Sequence, residues 1–177
     1  MKEIEAQHKA QYTSKAGTIL MFRYLSSEAL DEILAISSLF IYDEEERIIT
    51  EGETSPFFYA VLEGCVNVMV QEAEDKEVYI STIGEGECFG EAGIFLTVKR
   101  TAAVVSAQES VILRIHREDL LAFIKAQPAS GIKMLMVIVY GLLKKLRSAN
   151  QELAFERKSD VEQDDIDSIV DGLLKSD

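Results

Sequence analysis

The chain has 177 residues, with 31 acids against 18 bases and a net charge of −13. That length admits one domain with an appendage and a sizeable core, and the acidic balance excludes nucleic acid as a partner, because affinity for it comes from basic residues that displace counterions. No apolar run approaches the ~20 residues of a membrane span, and Met1 to Lys15 is mixed charged and polar with no apolar signal region, so a cytoplasmic protein without a membrane partner is expected.

Residues 1–25 are polar and then mixed, and are expected to form a helical segment packed against the body. Ser26 or Ser27 has the chemistry of a helix cap, which predicts a short helix from Glu28 to Leu39 with Leu30, Ile33, Leu34 and Ile36 on one side. Residues 26–128 form the main body, and from Arg47 to His116 they read as short β-rich runs. Val66, Val68 and Val70 alternate with Asn67, Met69 and Gln71; Val78, Ile80 and Ile83 follow, and Val111-Ile112-Leu113-Arg114-Ile115 closes the set. Gly, Asp and Glu clusters separate these runs at the intervals of an antiparallel sandwich. Gly84-Glu85-Gly86-Glu87 has a superficial likeness to a dinucleotide-binding loop, but its acids would repel a pyrophosphate and no βαβ unit surrounds it. Cys65 and Cys88 read as free thiols in strands, and His8 and His116 have no partner at metal or nucleophile spacing. No metal, cofactor or catalytic residue is expected, and the chain is not read as an enzyme.

Within the β region, Phe89-Gly90-Glu91-Ala92-Gly93-Ile94 is followed by Arg100-Thr101-Ala102-Ala103-Val104. Gly90 can adopt positive φ and lets the main chain approach a ligand. The amides after it, at the start of a short helix, suit an anion. Arg100 carries a guanidinium fork that matches two phosphate oxygens, whereas Glu91 suits a sugar hydroxyl. The alternative for each residue alone is bland: the glycines mark turns and Arg100 pairs with a surface acid.

In this order the residues resemble the phosphate-binding cassette of the cyclic nucleotide-binding domain family. Ile48-Ile49-Thr50-Glu51-Gly52-Glu53 and Phe57 to Val68 resemble the strands that lead into it, with Gly52 and Gly64 at strand turns. The resemblance implies a mainly β fold with flanking helices (α+β), an antiparallel double-stranded β-helix or jelly-roll sandwich followed by a long C-terminal dimerisation helix. It implies a cyclic mononucleotide held by Phe89, Gly90, Glu91, Ala92, Arg100, Thr101 and Ala102. Ala92 stands where the family commonly has leucine, and only its backbone amide is needed there.

After His116 the hydrophobic period becomes helical. Glu118 to Ala126 is a short helix that Pro128 ends. Residues 129–156 form the long helix, in which Ile132, Leu135, Val139, Leu142, Leu146, Ala149 and Leu153 are spaced alternately three and four apart. That is a heptad seam, which predicts a homodimer through this helix; the alternative is a helix lying on its own sandwich. Met134, Met136, Val137, Ile138 and Leu143 widen the apolar stripe near its start, so the first half is expected to touch the domain. The resemblance also implies that this helix contacts the base. Ser148 and Asn150 lie in the matching stretch, and Asn offers a donor and an acceptor to an adenine edge. Ala149 replaces a hydroxyl residue, and Thr101 reaches either phosphate or a guanine amino group, so cyclic AMP is the expected ligand and cyclic GMP the alternative.

The tail, residues 157–177, is acidic. From Ser159 onward it has seven acids and one lysine, −6 of the chain's −13, yet Ile166, Ile169, Val170, Leu173 and Leu174 fall on one helical face. Ser159 with Glu162 has the form of a capping box, predicting a separate helix. The tail loosely resembles short acidic helices that dock on receiver domains; the plainer alternative is a helix folded back on the domain or a solvated tail. Two readings of the whole follow: a cyclic nucleotide sensor that signals through its dimeric helix, or a ligand-free dimeric scaffold of the same fold acting through the tail.

Overall fold

The computed structural model describes residues 1–73, 76–96 and 98–174, with residues 6, 7 and 152–174 described by backbone alone. It divides into two compact units, Met1–Val137 and Ile138–Asp177.

The first unit is a sandwich of two antiparallel sheets. One has the strand order β1-β2-β9-β4-β7, from Lys2–Glu3, Ser37–Tyr42, Ser110–His116, Phe57–Glu63 and Cys88–Phe89; the other has β3-β8-β5-β6, from Arg47–Ile49, Ala103–Ser106, Val66–Ala73 and Lys76–Ile83. Strand residues alternate between faces. The inward set of the first sheet, Phe40, Tyr42, Tyr59, Val61, Phe89 and Ile112, meets Ile49, Val66 and Val104 of the second in one buried cluster. Each such apolar side chain contributes ~1.5–3 kcal/mol on burial. The outward set of the first sheet is buried as well, with Leu39, Phe58, Ala60, Leu113 and Ile115 inaccessible to solvent. Helices α2 (Ser27–Ala35) and α4 (Arg117–Ala126) contact β2, β9 and each other and account for that second layer. Gly52 and Gly64 stand at strand turns with φ of 80° and 81°.

The sandwich and its flanking helices agree with the fold expected from sequence, and four local expectations are corrected. The helix predicted to reach Leu39 stops at Ala35, and Ser37–Tyr42 is strand β2, paired in unbroken register with β9. Leu39 is fully buried there, so tertiary pairing overrides the helical reading of an apolar run. Ser26 does cap the helix, accepting from the Ala29 amide at 3.3 Å. The N-terminal segment is mixed rather than simply helical: β1 adds to β2, and a 3₁₀ turn (Ala6–Tyr12) leads into α1 (Thr13–Thr18). Pro128 does more than end α4. It is also the first residue of α5 (Pro128–Leu174), a position where its missing N–H is not needed. Finally, α5 passes through Ser159 without a break, so the tail has no helix start of its own.

Inside the first unit, the opening turns of α5 are anchored: Met134 is fully buried and Lys133 donates to the Tyr24 carbonyl at 3.1 Å. The second unit consists of the rest of α5. Of the predicted seam, Leu135 is half-buried, while Ile132, Val139, Leu142, Leu146 and Ala149 are exposed, Val139 by 53% and Leu146 by 57%. The side chains of Leu153 and of the acidic tail, including its docking face, lie outside the described residues.

Candidate functional site

The site is built where β7 ends early. Val61 donates its amide to Glu87 and accepts on its carbonyl from Gly86, which fixes odd-numbered residues of β4 as those turned toward β7. Further back along the same side stand the carbonyls of Phe57 and Ser55. Strand β7 never reaches them, because after Phe89 the chain turns away at Gly90, whose φ is 73°. Arg100 fills the gap. Its Nη2 donates to Ser55 O at 3.0 Å and Phe57 O at 2.5 Å, and its Nη1 donates to Gly90 O at 3.0 Å. The backbone of Arg100 is tied to the same segment, donating to Glu53 O and accepting from the Gly52 amide, both at 2.8 Å. The side chain is 9% exposed, its guanidinium stands 5.9 Å from the centre of the Tyr59 ring, and its buried Nε has no hydrogen-bond partner among the described residues.

The two cassette glycines lie directly on this cation. A Cβ on Gly90 would come within 2.9 Å of Arg100 Nη1 and 3.2 Å of the Tyr59 ring, and one on Gly93 within 3.1 Å of Nη1. Gly90→Ala therefore combines a strained φ with a clash. It should lower the melting temperature and weaken any ligand held by the cassette, since the guanidinium must shift; equal melting curves for the variant and the wild type would contradict this. Phe89, beside Gly90, is buried and stacks on Tyr59 at 5.0 Å with the rings nearly parallel, so its ring belongs to the core beneath the cassette.

The other predicted residues are placed as follows. Glu91 begins the one-turn helix α3 (Ala92–Phe95), with Ala92 exposed at its first position. The amides of Gly93 and Ile94 bond back to the Gly90 and Glu91 carbonyls, so two of the amides that the sequence reading left open at this helix start are already partnered. Thr101 is exposed and Ala102 half-buried. Ser148 and Asn150 belong to the second unit and are exposed on α5. Cys65 and Cys88 are half-buried and form no disulfide among the described residues. His116 is more than a strand end: its Nδ1 accepts from the Glu118 amide at 3.3 Å and caps α4, and its ring packs edge-on against Phe57.

Sequence reasoning missed Ser55 and Phe57, because their contribution is a carbonyl that no side chain advertises. It also passed over Arg114, a lone charge in an apolar strand. Its guanidinium lies 4.2 Å from the centre of the Phe40 ring and 4.3 Å from that of Phe57. Nearby, burial and the neighbouring Tyr59 push the Tyr42 hydroxyl up to about 12, with Arg114 pulling the other way. A separate cavity of ≈ 290 Å³ is lined by residues of the N-terminal segment and Ile41, none of them from the cassette.

Comparison with known proteins identifies the family. The family model described as the cyclic nucleotide-binding domain matches residues 39–127, from β2 to the end of α4. The chain belongs to the cyclic nucleotide-binding domain family. This cyclic nucleotide-binding domain is 27% identical over 133 residues to the Cyclic AMP receptor protein of Thermus thermophilus, covering 75% of the chain and 60% of the relative. It is 30% identical over 125 residues to the cAMP-activated global transcriptional regulator CRP of Haemophilus influenzae, covering 70% of the chain and 54% of the relative. It therefore spans little more than half the length of these curated relatives. The crystal structure of the Thermus thermophilus Catabolite Activator Protein superposes with a TM-score of 0.67 at 26% identity, over 77% of this chain and 62% of that one. A cyclic nucleotide-binding domain from Methylobacillus flagellatus shares the fold, with a TM-score of 0.68 at 20% identity over 80% of each chain. No helix among the described residues is long and apolar enough to cross a membrane.

Proposed function

We propose that this domain is a non-enzymatic sensor that binds a cyclic mononucleotide in the cassette and signals through pairing of α5 with a second copy. One observation carries the reading: a positive-φ glycine lies on a buried guanidinium whose Nε has no hydrogen-bond partner among the described residues. A buried cation of this kind calls for an anion or an acceptor. The ester phosphate of a cyclic nucleotide supplies both, with Glu91 placed at the helix start to accept from the ribose. Cyclic AMP is the favoured ligand, in keeping with the names of the two curated relatives, and cyclic GMP is the alternative, with Ser148 and Asn150 assigned to the base. The exposed seam from Ile132 to Ala149 supports a parallel homodimer, since large apolar residues in an unbroken heptad are rarely left in water. We assign the acidic tail to docking on a protein partner of receiver type.

One observation favours the second reading, a scaffold that binds no ligand. Three donor bonds of Arg100 already go to backbone carbonyls, so the residue has a structural role whether or not a nucleotide binds. Titration calorimetry of the full chain with cyclic AMP and cyclic GMP separates the two. Saturable heat with a matching rise in melting temperature supports the sensor. No heat and no melting shift at millimolar nucleotide leaves the scaffold.

A further inference from the structure

Arg114 is half-buried in a largely apolar strand, with its Nε out of reach of solvent. It follows Ile112 by two positions on β9, so both side chains point into the sandwich, and Ile112 is part of the buried inner cluster. Its ladder partner on β4 is Tyr59, the residue that stacks on Phe89 and lies beside the Arg100 guanidinium. The Arg114 guanidinium lies over the rings of both Phe40 and Phe57, and its Nε is buried with no hydrogen-bond partner among the described residues. The four ion pairs found among the described residues do not include it. Cation–π contacts offset part of the desolvation of a guanidinium, but they leave its charge uncancelled. Arg100 and Arg114 thus share Phe57, one through its carbonyl and the other through its ring, and each keeps an unpartnered Nε.

We propose that Arg114 is a second cation of the nucleotide site, lending positive potential to the interior of the roll so that it favours an anionic ligand, without reading the base. This rests on the sensor reading above. The physical basis is that a fixed charge behind low-dielectric walls acts over a longer distance than one in water. Arg114 already packs against two rings, and the base is assigned to other residues.

Two substitutions separate charge from packing. Arg114→Met keeps an apolar chain between Phe40 and Phe57 but removes the charge; Arg114→Lys keeps the charge and gives up the planar stack. Calorimetry of the full chain with cyclic AMP and cyclic GMP, at low and moderate salt, is the readout, with melting curves alongside. Arg114→Met should weaken both nucleotides by about tenfold, the order expected when a unit charge that acts through an effective dielectric near 20 is removed. The ratio between the two nucleotides should not change, and Arg114→Lys should stay within about threefold of the wild type. Should Arg114→Met fail to fold, the Lys variant and Arg114→Gln give the same contrast. Wild-type affinity in Arg114→Met, or a changed preference between the two bases, overturns the proposal while leaving the sensor reading in place. A wild-type chain that binds neither nucleotide overturns both.

Discussion

Arg100→Ala should lose nucleotide affinity and melt at a lower temperature, and the two losses have separate causes. Binding falls because a phosphate held in a buried site loses its charged donor; a hydrogen bond to a charged group is worth about 1.5–3 kcal/mol, so the dissociation constant should rise at least tenfold. Stability falls because the guanidinium bonds the carbonyls of Ser55, Phe57 and Gly90 and is 91% buried, so alanine leaves acceptors unpaired above a void. Arg100→Lys tells the two apart. A single ammonium keeps the charge but cannot hold carbonyls on two segments, so it should retain more of the affinity than of the melting temperature. Unchanged affinity in Arg100→Ala, with the protein folded, would remove Arg100 from the site. Glu91→Gln should weaken binding less than either, because an amide oxygen still accepts from a hydroxyl.

Leu146→Glu should convert the proposed dimer to a monomer. Leu146 is the middle of the seam among the positions whose side chains are described on its C-terminal half, and it is 57% exposed in the single chain. In a parallel pair the two copies of this residue face each other, so the substitution sets two carboxylates together in an apolar interface, at a cost of several kcal/mol. Sedimentation equilibrium at micromolar concentration reads the result directly. A wild-type chain that sediments as a monomer there would remove the dimer, while the nucleotide site could still stand.

The strands were legible because alternation is a property of the residues themselves: Val66, Val68 and Val70 on one side and Asn67 on the other predict a half-buried strand before any partner is known. Strand β2 was not, since Ser37 to Tyr42 is an apolar run whose identity depends on β9, some seventy residues later. The cassette was legible in its residue types, and the structure brings Phe89, Gly90 and Arg100 together around Tyr59. What the sequence could not show is that Arg100 meets backbone carbonyls there. A carbonyl is common to every residue, and only the early end of β7 makes those of Ser55 and Phe57 available.

The early end of β7 also bears on solubility. Beyond Phe89, β4 becomes the border of the five-stranded sheet, and a row of open carbonyls at such a border is a template on which another chain can add a strand. Here the row is closed by one side chain from the same molecule, whose guanidinium bonds the carbonyls of Ser55 and Phe57. Arg100 therefore covers, from within the molecule, carbonyls that would otherwise stand open at this border. A variant that loses it should need checking for concentration-dependent aggregation before any loss of affinity is read as a loss of phosphate contact.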